Sequence, residues 1–400
     1  MKLAHVLRRI SFADWGGTEQ VVWNLARAQM RAGHDVRLFA TEALYRGGGP
    51  DAAPSPGNPP VLRFPCVYPW FPMTRRVRST LDRKGGNPLA PALFRELRRW
   101  GPDVVHCHAM GRLAEGCVRL CERTGARSAV SLHGGGANIP AAEAASLREP
   151  TRGLFPWGKA LEKALRLNRR VPEDFGGVVC VGEDEYEHWR AVHPRVLFLP
   201  NGVDVSVFAG DRAGAGSAAG PRIVLCVARI DRQKDQMALV EALPALPGDV
   251  RVRLVGPVTQ PDYRDALLSR AAALGVAGRL EIVGAVPPSS PELVAEYRRA
   301  DVFALPSRHE PFGIAVLEAW AAGVPVVASG AGGLGRLCAA NPGAAATFPP
   351  GDGAALAAAL SRVLSPDFDR ASAVAVGRAA AARYDWSALA ARLLDFYAAL

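Results

Sequence analysis

Short apolar runs alternate with amphipathic segments along most of this 400-residue chain. That alternation predicts a doubly wound parallel sheet in each half. In the first half strands are expected at residues 2–7, 36–40, 104–106, 129–132, 177–181 and 196–199, with a helix over 19–32 closed by Gly33. The second half restarts at 223–227 and continues at 251–255, 280–283, 302–304 and 325–328. Between them, residues 209–221 are rich in Gly, Ala and Ser and read as a linker. The length also favours two cores over one. The expected organisation is therefore a first domain over 1–205, a linker over 206–221, a second domain over 222–385 and a closing amphipathic helix over 386–400.

One stretch stands apart from this frame. Glu310-Pro-Phe-Gly-Ile-Ala-Val-Leu-Glu318 places two carboxylates on either side of a loop that opens into a helix, and Gly323 and Pro325 end that helix before the next strand. The amides of Phe312, Gly313 and Ile314 fall at the helix start, where unpaired N–H groups and the helix dipole attract an anion such as a diphosphate. Glu318 is surrounded in sequence by Ala315, Val316, Leu317, Ala319, Trp320 and Ala322, so its carboxylate needs a partner in an apolar setting, such as a ligand hydroxyl.

Two further motifs fit an anion. Arg229 follows the strand at 223–227 and Lys234 lies five residues on, a spacing that lets two cations grip a diphosphate from two sides. Gly16-Gly17-Thr18-Glu19 opens the first helix with no side chain at the two glycines to keep a phosphate from the backbone. It is not the Gly-x-Gly-x-x-Gly pattern of a nicotinamide site. His133 ends the strand at 129–132 and precedes three glycines, which leaves it at the carboxyl end of a sheet strand, while His106 and His108 lie beside a neighbouring strand end.

The segment from Glu310 to Ser329 resembles the signature of the retaining glycosyltransferases of family four: Glu, seven residues, Glu, with Pro-Phe-Gly inside and Gly-x-Pro-Val-Val-Ala-Ser after. The resemblance implies an α/β GT-B architecture of two doubly wound, Rossmann-like domains facing a cleft, with the last helix crossing back to the first domain. It implies transfer of a sugar from a UDP- or GDP-sugar to a hydroxyl acceptor with retention of configuration, in polysaccharide or glycoconjugate assembly. Carried over, Glu310 lies at the donor sugar and Glu318 at the ribose. Arg229, Lys234, Gly16 and Gly17 serve the diphosphate, His133 the sugar, and the loop at Val286 the base. Asn201-Gly202-Val203-Asp204 matches the family's hinge turn. Arg336 is a departure, since the family often has Glu there. The implied reaction needs no cofactor beyond its co-substrate and no metal, and no Asp-x-Asp motif is seen that would hold Mg²⁺ beside a diphosphate. The alternatives are another GT-B activity, such as a nucleotide-sugar epimerase, and a nucleotide-sugar-binding subunit without turnover.

Composition narrows the partners. Apolar residues make up 49% and charged residues 22%, values of a globular chain. The most apolar window, 311–335, is broken by Glu318, Pro325 and several glycines, so no membrane span is expected, and no secretory leader is visible. The expected location is the cytoplasm. The net charge of +10 suits anionic partners. Nucleic acid is not expected, because no zinc finger, RNA-binding aromatic motif or basic tail is present. Residues 68–78 and 152–170 mix arginines with Trp and Phe, a combination that suits the inner face of an anionic membrane and a lipid-linked acceptor. Seven scattered cysteines argue for thiols. A zinc set built from His106, Cys107, His108, Cys117 and Cys121 is disfavoured, since residues 106 and 107 point to opposite faces of a strand.

Overall fold

A parallel strand covered on both faces has no polar side to show, so near-continuous runs of Val, Leu, Ile and Ala become its sequence. A computed structural model of the chain describes residues 1–11, 17–43, 57–83, 87–132, 154–155, 157–158, 164, 172–210 and 220–400. The chain forms two units, one of residues 1–200 with 389–400 and the other of residues 201–388.

In the first unit the strands are β1 (Lys2–Arg9), β2 (Asp35–Thr41), β3 (Val61–Phe64), β4 (Val104–Cys107), β5 (Arg127–Leu132), β6 (Gly177–Cys180) and β7 (Val196–Phe198). They pair in the order β3-β2-β1-β4-β5-β6-β7, every described pairing parallel. The order reverses between β1 and β4. His5 of β1 lies opposite His106 of β4, and His108 follows β4. Their rings make a buried polar chain. His5 bonds His108 at 2.9 Å and Gln29 at 2.7 Å, while His106 bonds Ser131 at 2.8 Å and the Tyr397 hydroxyl at 2.5 Å. Tyr397 belongs to the last helix, Trp386–Ala398. Arg127 donates to the Tyr397 carbonyl and Arg392 to that of Phe198, so the helix end is tied to this unit by polar bonds as well as packing. A side chain at Gly177 would collide with Phe396 and Leu400, which shows how closely the helix lies on β6.

The second unit holds β8 (Arg222–Val227), β9 (Val250–Val255), β10 (Leu280–Gly284), β11 (Val302–Leu305), β12 (Val326–Ser329) and β13 (Ala345–Phe348), in the order β10-β9-β8-β11-β12-β13 and again parallel. Its order reverses between β8 and β11. Trp320 is buried in the core, its indole N–H donating to the Ala344 carbonyl.

Several expectations need correction. The boundary near residue 205 moves to 200, because Val203 bridges Asp385 and exchanges backbone bonds with Tyr384 and Trp386, and Phe208 packs edge-on against Tyr297. Residues 201–208, including the Asn-Gly-Val-Asp turn, thus belong to the second unit, as does the first turn of the last helix. Of the expected linker, residues 211–219 lie outside the described residues. Two strands, β3 and β13, were not expected; each has only four residues.

All seven cysteines are buried thiols. Cys107, Cys117 and Cys121 sit in the apolar core, and burial pushes the Cys121 thiol up to about 12, a protonated group and a poor metal ligand. The donor atoms of His5, His106 and His108 do lie within 4.8 Å of one another. Both nitrogens of His5 and of His106 already have hydrogen-bond partners, so the trio is a hydrogen-bonded core network. Among the described residues no helix is long and apolar enough to cross a membrane.

Candidate active site

Open parallel sheets bind ligands beyond the carboxyl ends of their strands, where the strand order reverses. In the second unit that place lies between β8 and β11, and the sequence puts its charged motifs there. Arg229 follows β8. Asp231 then caps a single 3-10 turn, Arg232–Lys234, accepting from the amides of Gln233 at 3.0 Å and Lys234 at 3.2 Å. The turn directs Lys234 toward the loop after β11, where its ammonium donates to Glu310 Oε2 at 2.7 Å. The loop is held on the turn by a second contact, since the Arg308 amide donates to the Gln233 carbonyl and the Arg308 guanidinium to Asp235 Oδ2, both at 2.9 Å.

The pairing brings two of the expected site residues together. Lys234 and Glu310, read from sequence as a phosphate cation and a sugar carboxylate, form one ion pair, their side chains 12% and 13% exposed. Arg229 is different: its guanidinium is 53% exposed and reaches only to 3.4 Å from Asp231. Lys234 is therefore the closely paired cation of the turn and Arg229 the more exposed one. Gln236, fully buried, donates to the Arg229 carbonyl at 2.8 Å and fixes where that side chain starts.

Glu310-Pro-Phe-Gly leads into the helix Ile314–Ala321 through Gly313, whose φ of 97° is left-handed. Among the described residues the amides of Phe312, Gly313 and Ile314 have no acceptor. The next helix, Gly332–Ala339, explains why this loop is so closely held. A side chain at Gly333 would lie 1.8 Å from the Pro311 carbonyl oxygen, and one at Gly332 would lie 2.9 Å from that of Glu310. These glycines let one helix start pack backbone to backbone against the other. Arg336, one turn further, is exposed.

Glu318 is one turn into its helix and 7% exposed. Burial pushes its carboxyl up to about 7, and the hydrogen bond from Tyr297 pulls it partly back. Tyr297 Oη lies 2.7 Å from Glu318 Oε2 and 3.2 Å from the Ala315 carbonyl. Sequence reasoning expected a ligand hydroxyl here and missed Tyr297. Only one carboxylate oxygen is taken, and among the described residues Oε1 has no partner. Val286, expected at the base, lies just beyond β10 and packs partly on the core. With strands about 4.8 Å apart, the β10 end and the β11 end are about 14 Å apart across the sheet, a span a nucleoside diphosphate can bridge.

In the first unit, Gly17 opens the helix Gly17–Arg31, and a side chain there would meet nothing within 4 Å. Glu19 is buried beside Arg9, at 3.4 Å. Gly16 and His133 lie outside the described residues.

The phosphatidyl-myo-inositol mannosyltransferase of Mycobacterium leprae is 34% identical to this chain, over 97% of the chain and 94% of that protein. The chain belongs to glycosyltransferase family four. The family description Glycosyltransferase Family 4 matches residues 15–207, and Glycosyl transferases group 1 matches residues 209–381. The corresponding mannosyltransferase of Mycolicibacterium smegmatis is 28% identical over 97% of this chain and 91% of its own length. Among solved structures, Anabaena HepE in complex with UDP and glucose superposes with a TM-score of 0.66 at 19% identity, covering all of both chains. As a family-four glycosyltransferase the chain has the GT-B fold, its two Rossmann-like domains being the two sheets described above.

Proposed function

We propose that the protein moves a sugar from a nucleotide diphosphate sugar to a hydroxyl acceptor with retention of anomeric configuration. The observation that carries this reading is the composition of the second unit's switch point. A nearly buried Lys234–Glu310 pair, an exposed Arg229, the free amides of residues 312–314 and the open oxygen of Glu318 all lie around it. Arg229 and the amides hold the diphosphate. Lys234 stands between phosphate and Glu310, so leaving-group charge is neutralised as the glycosidic bond breaks, while Glu310 steadies the oxocarbenium-like sugar. The acceptor hydroxyl attacks from the face the phosphate leaves, and its proton passes to the departing phosphate oxygen. Glu318 takes the ribose diol on Oε1, and the loop at Val286 takes the base.

Two roles of the proposal fall on the first unit by family resemblance, Gly16 and Gly17 toward the diphosphate and His133 toward the sugar. No metal and no further cofactor is called for, since fixed cations and amides occupy the place a metal would neutralise. HepE binds UDP, and the two mannosyltransferases are named for a phosphatidylinositol acceptor; these support a UDP- or GDP-sugar donor and a lipid-linked hydroxyl acceptor. Glycoconjugate assembly in the cytoplasm, at the membrane's inner face, is the setting this reading favours. Thermal shifts with a panel of nucleotide sugars, followed by turnover of the best donor, test it. Glu310→Gln should keep nucleotide affinity and lose about a hundredfold in kcat, about 3 kcal/mol of transition-state stabilisation. Isomerised donor formed without any acceptor would instead favour an epimerase, and tight binding with no turnover a binding subunit.

A further inference from the structure

Arg336 stands where the sequence departs from its family, and its helix shows what it faces. In Gly332–Ala339 the residues turned into the core are Leu334, Leu337 and Cys338. Arg336 lies three and four positions past Gly333 and Gly332, so these three share the other face of the helix. That face abuts the Glu310 loop. A side chain at Gly332 would lie 2.9 Å from the Glu310 carbonyl oxygen and one at Gly333 would lie 1.8 Å from that of Pro311, while the Leu334 amide donates to the Glu310 carbonyl at 3.3 Å. Helical side chains lean toward the start of their own helix. The exposed side chain of Arg336 therefore extends back over one turn, about 5.4 Å, toward the residues around Glu310. The two glycines of that turn leave its path open.

The chemistry of the site then says what such a side chain is for. Lys234 already neutralises Glu310 at 2.7 Å, so the charge of Arg336 comes in addition. Hydroxyls of a neutral sugar are bound by uncharged side chains and backbone groups as readily as by a cation. A guanidinium offers two parallel N–H donors, the geometry that matches a carboxylate. A carboxylate is also what distinguishes a uronate from a neutral hexose, and with Glu310 held by Lys234 an incoming one meets added positive charge rather than a bare acid.

We propose that Arg336 selects a donor whose sugar carries a carboxylate, a nucleotide diphosphate uronate, over the corresponding neutral hexose. The assignment rests on the reading above that Glu310 lies at the donor sugar. Arg336 determines specificity by gripping the sugar carboxylate and takes no part in breaking the glycosidic bond.

The test is calorimetric titration of the full chain with two matched pairs, UDP-glucuronate against UDP-glucose and GDP-mannuronate against GDP-mannose, with UDP and GDP alone as references. In the pair whose base the protein accepts, the uronate should bind at least about tenfold more tightly than the neutral sugar. Arg336→Gln should remove that margin and Arg336→Glu should invert it. Arg336→Lys should keep part of it, since the charge stays and the fork is lost. All three variants should bind the bare nucleotide to within about twofold of the parent, which separates lost selectivity from a lost fold. A parent that binds the bare nucleotide but prefers the neutral hexose, or treats the two sugars alike, would overturn the proposal and leave the donor-site reading standing. A margin that survives in Arg336→Gln would do the same. Failure of every nucleotide and sugar nucleotide to bind would overturn both.

Discussion

The two sheets reverse their strand order at corresponding places, and each buries ionisable side chains there, but with opposite outcomes. Between β1 and β4, His5 is bonded to His108 and Gln29, and His106 to Ser131 and Tyr397. Between β8 and β11, Glu318 has one oxygen held by Tyr297 and one without a partner among the described residues, and Arg229 is half exposed beside the Lys234–Glu310 pair. The first arrangement uses its polar groups to fix a helix; the second keeps hydrogen-bonding capacity in reserve. Buried polarity alone therefore does not mark a site. What marks it is capacity left over after the protein's own partners are counted.

The largest effect should come from the histidine network. His106→Ala removes the partner of both Ser131 and Tyr397 and leaves a cavity, which should cost about 4 kcal/mol of stability by denaturant titration. Nucleotide affinity of the folded variant should stay unchanged. A variant as stable as the parent would mean that the network does not hold the last helix.

Next in size, the two clusters should respond oppositely to pH. Burial pushes His5 down from 6.5 to about 4, so between those values the unfolded chain binds the proton that the fold refuses. Its contribution is complete above 6.5 and is lost as pH falls toward 4, about 3 kcal/mol in all. Glu318 is raised from 4.5 to about 7, so the fold holds a proton that the unfolded chain has released. Its contribution is complete below 4.5 and is lost as pH rises through 7, by about the same amount. Amide exchange, corrected for intrinsic rates, should show β4 losing protection between pH 6.5 and 4 while β11 gains it between pH 7 and 4.5. The same trend in both strands would contradict the contrast.

Smaller again are the cations. Lys234→Ala leaves Glu310 nearly buried and unpaired and should weaken nucleotide binding by about 2 to 3 kcal/mol in calorimetric titration. Arg229→Ala, at a half-exposed position, should cost about 1 kcal/mol. If Arg229 proves the greater of the two, the phosphates sit away from the ion pair.

Much of this was legible in the sequence because its signals are local. The strands read as apolar runs, and Glu310 and Glu318 announce themselves by spacing across one loop and one helical turn. What escaped is long-range. The Lys234–Glu310 bond spans 76 positions and the Tyr297–Glu318 bond 21, separations at which no periodicity reports contact. The antiparallel bridge between Phe71 and Phe155 escaped for the same reason, although both segments were singled out by composition. The pair β3 and β13 escaped because four residues hold too little pattern to separate a strand from a loop. Arg336 was singled out in the sequence but Gly332 and Gly333 were not, because their close approach to the Glu310 loop is visible only in three dimensions.

Melting of the parent and of Glu318→Gln, each with and without the cognate nucleotide at pH 8, addresses the open carboxylate most directly. At that pH the parent carries a buried charge that the amide lacks, while Tyr297 can still donate to the amide oxygen. The variant should therefore melt at least as high as the parent in buffer yet gain markedly less from nucleotide, the trade expected where a residue is kept for binding at the expense of stability. A variant that melts lower and gains as much from nucleotide as the parent would show that Glu318 is a structural group and that the ligand lies elsewhere.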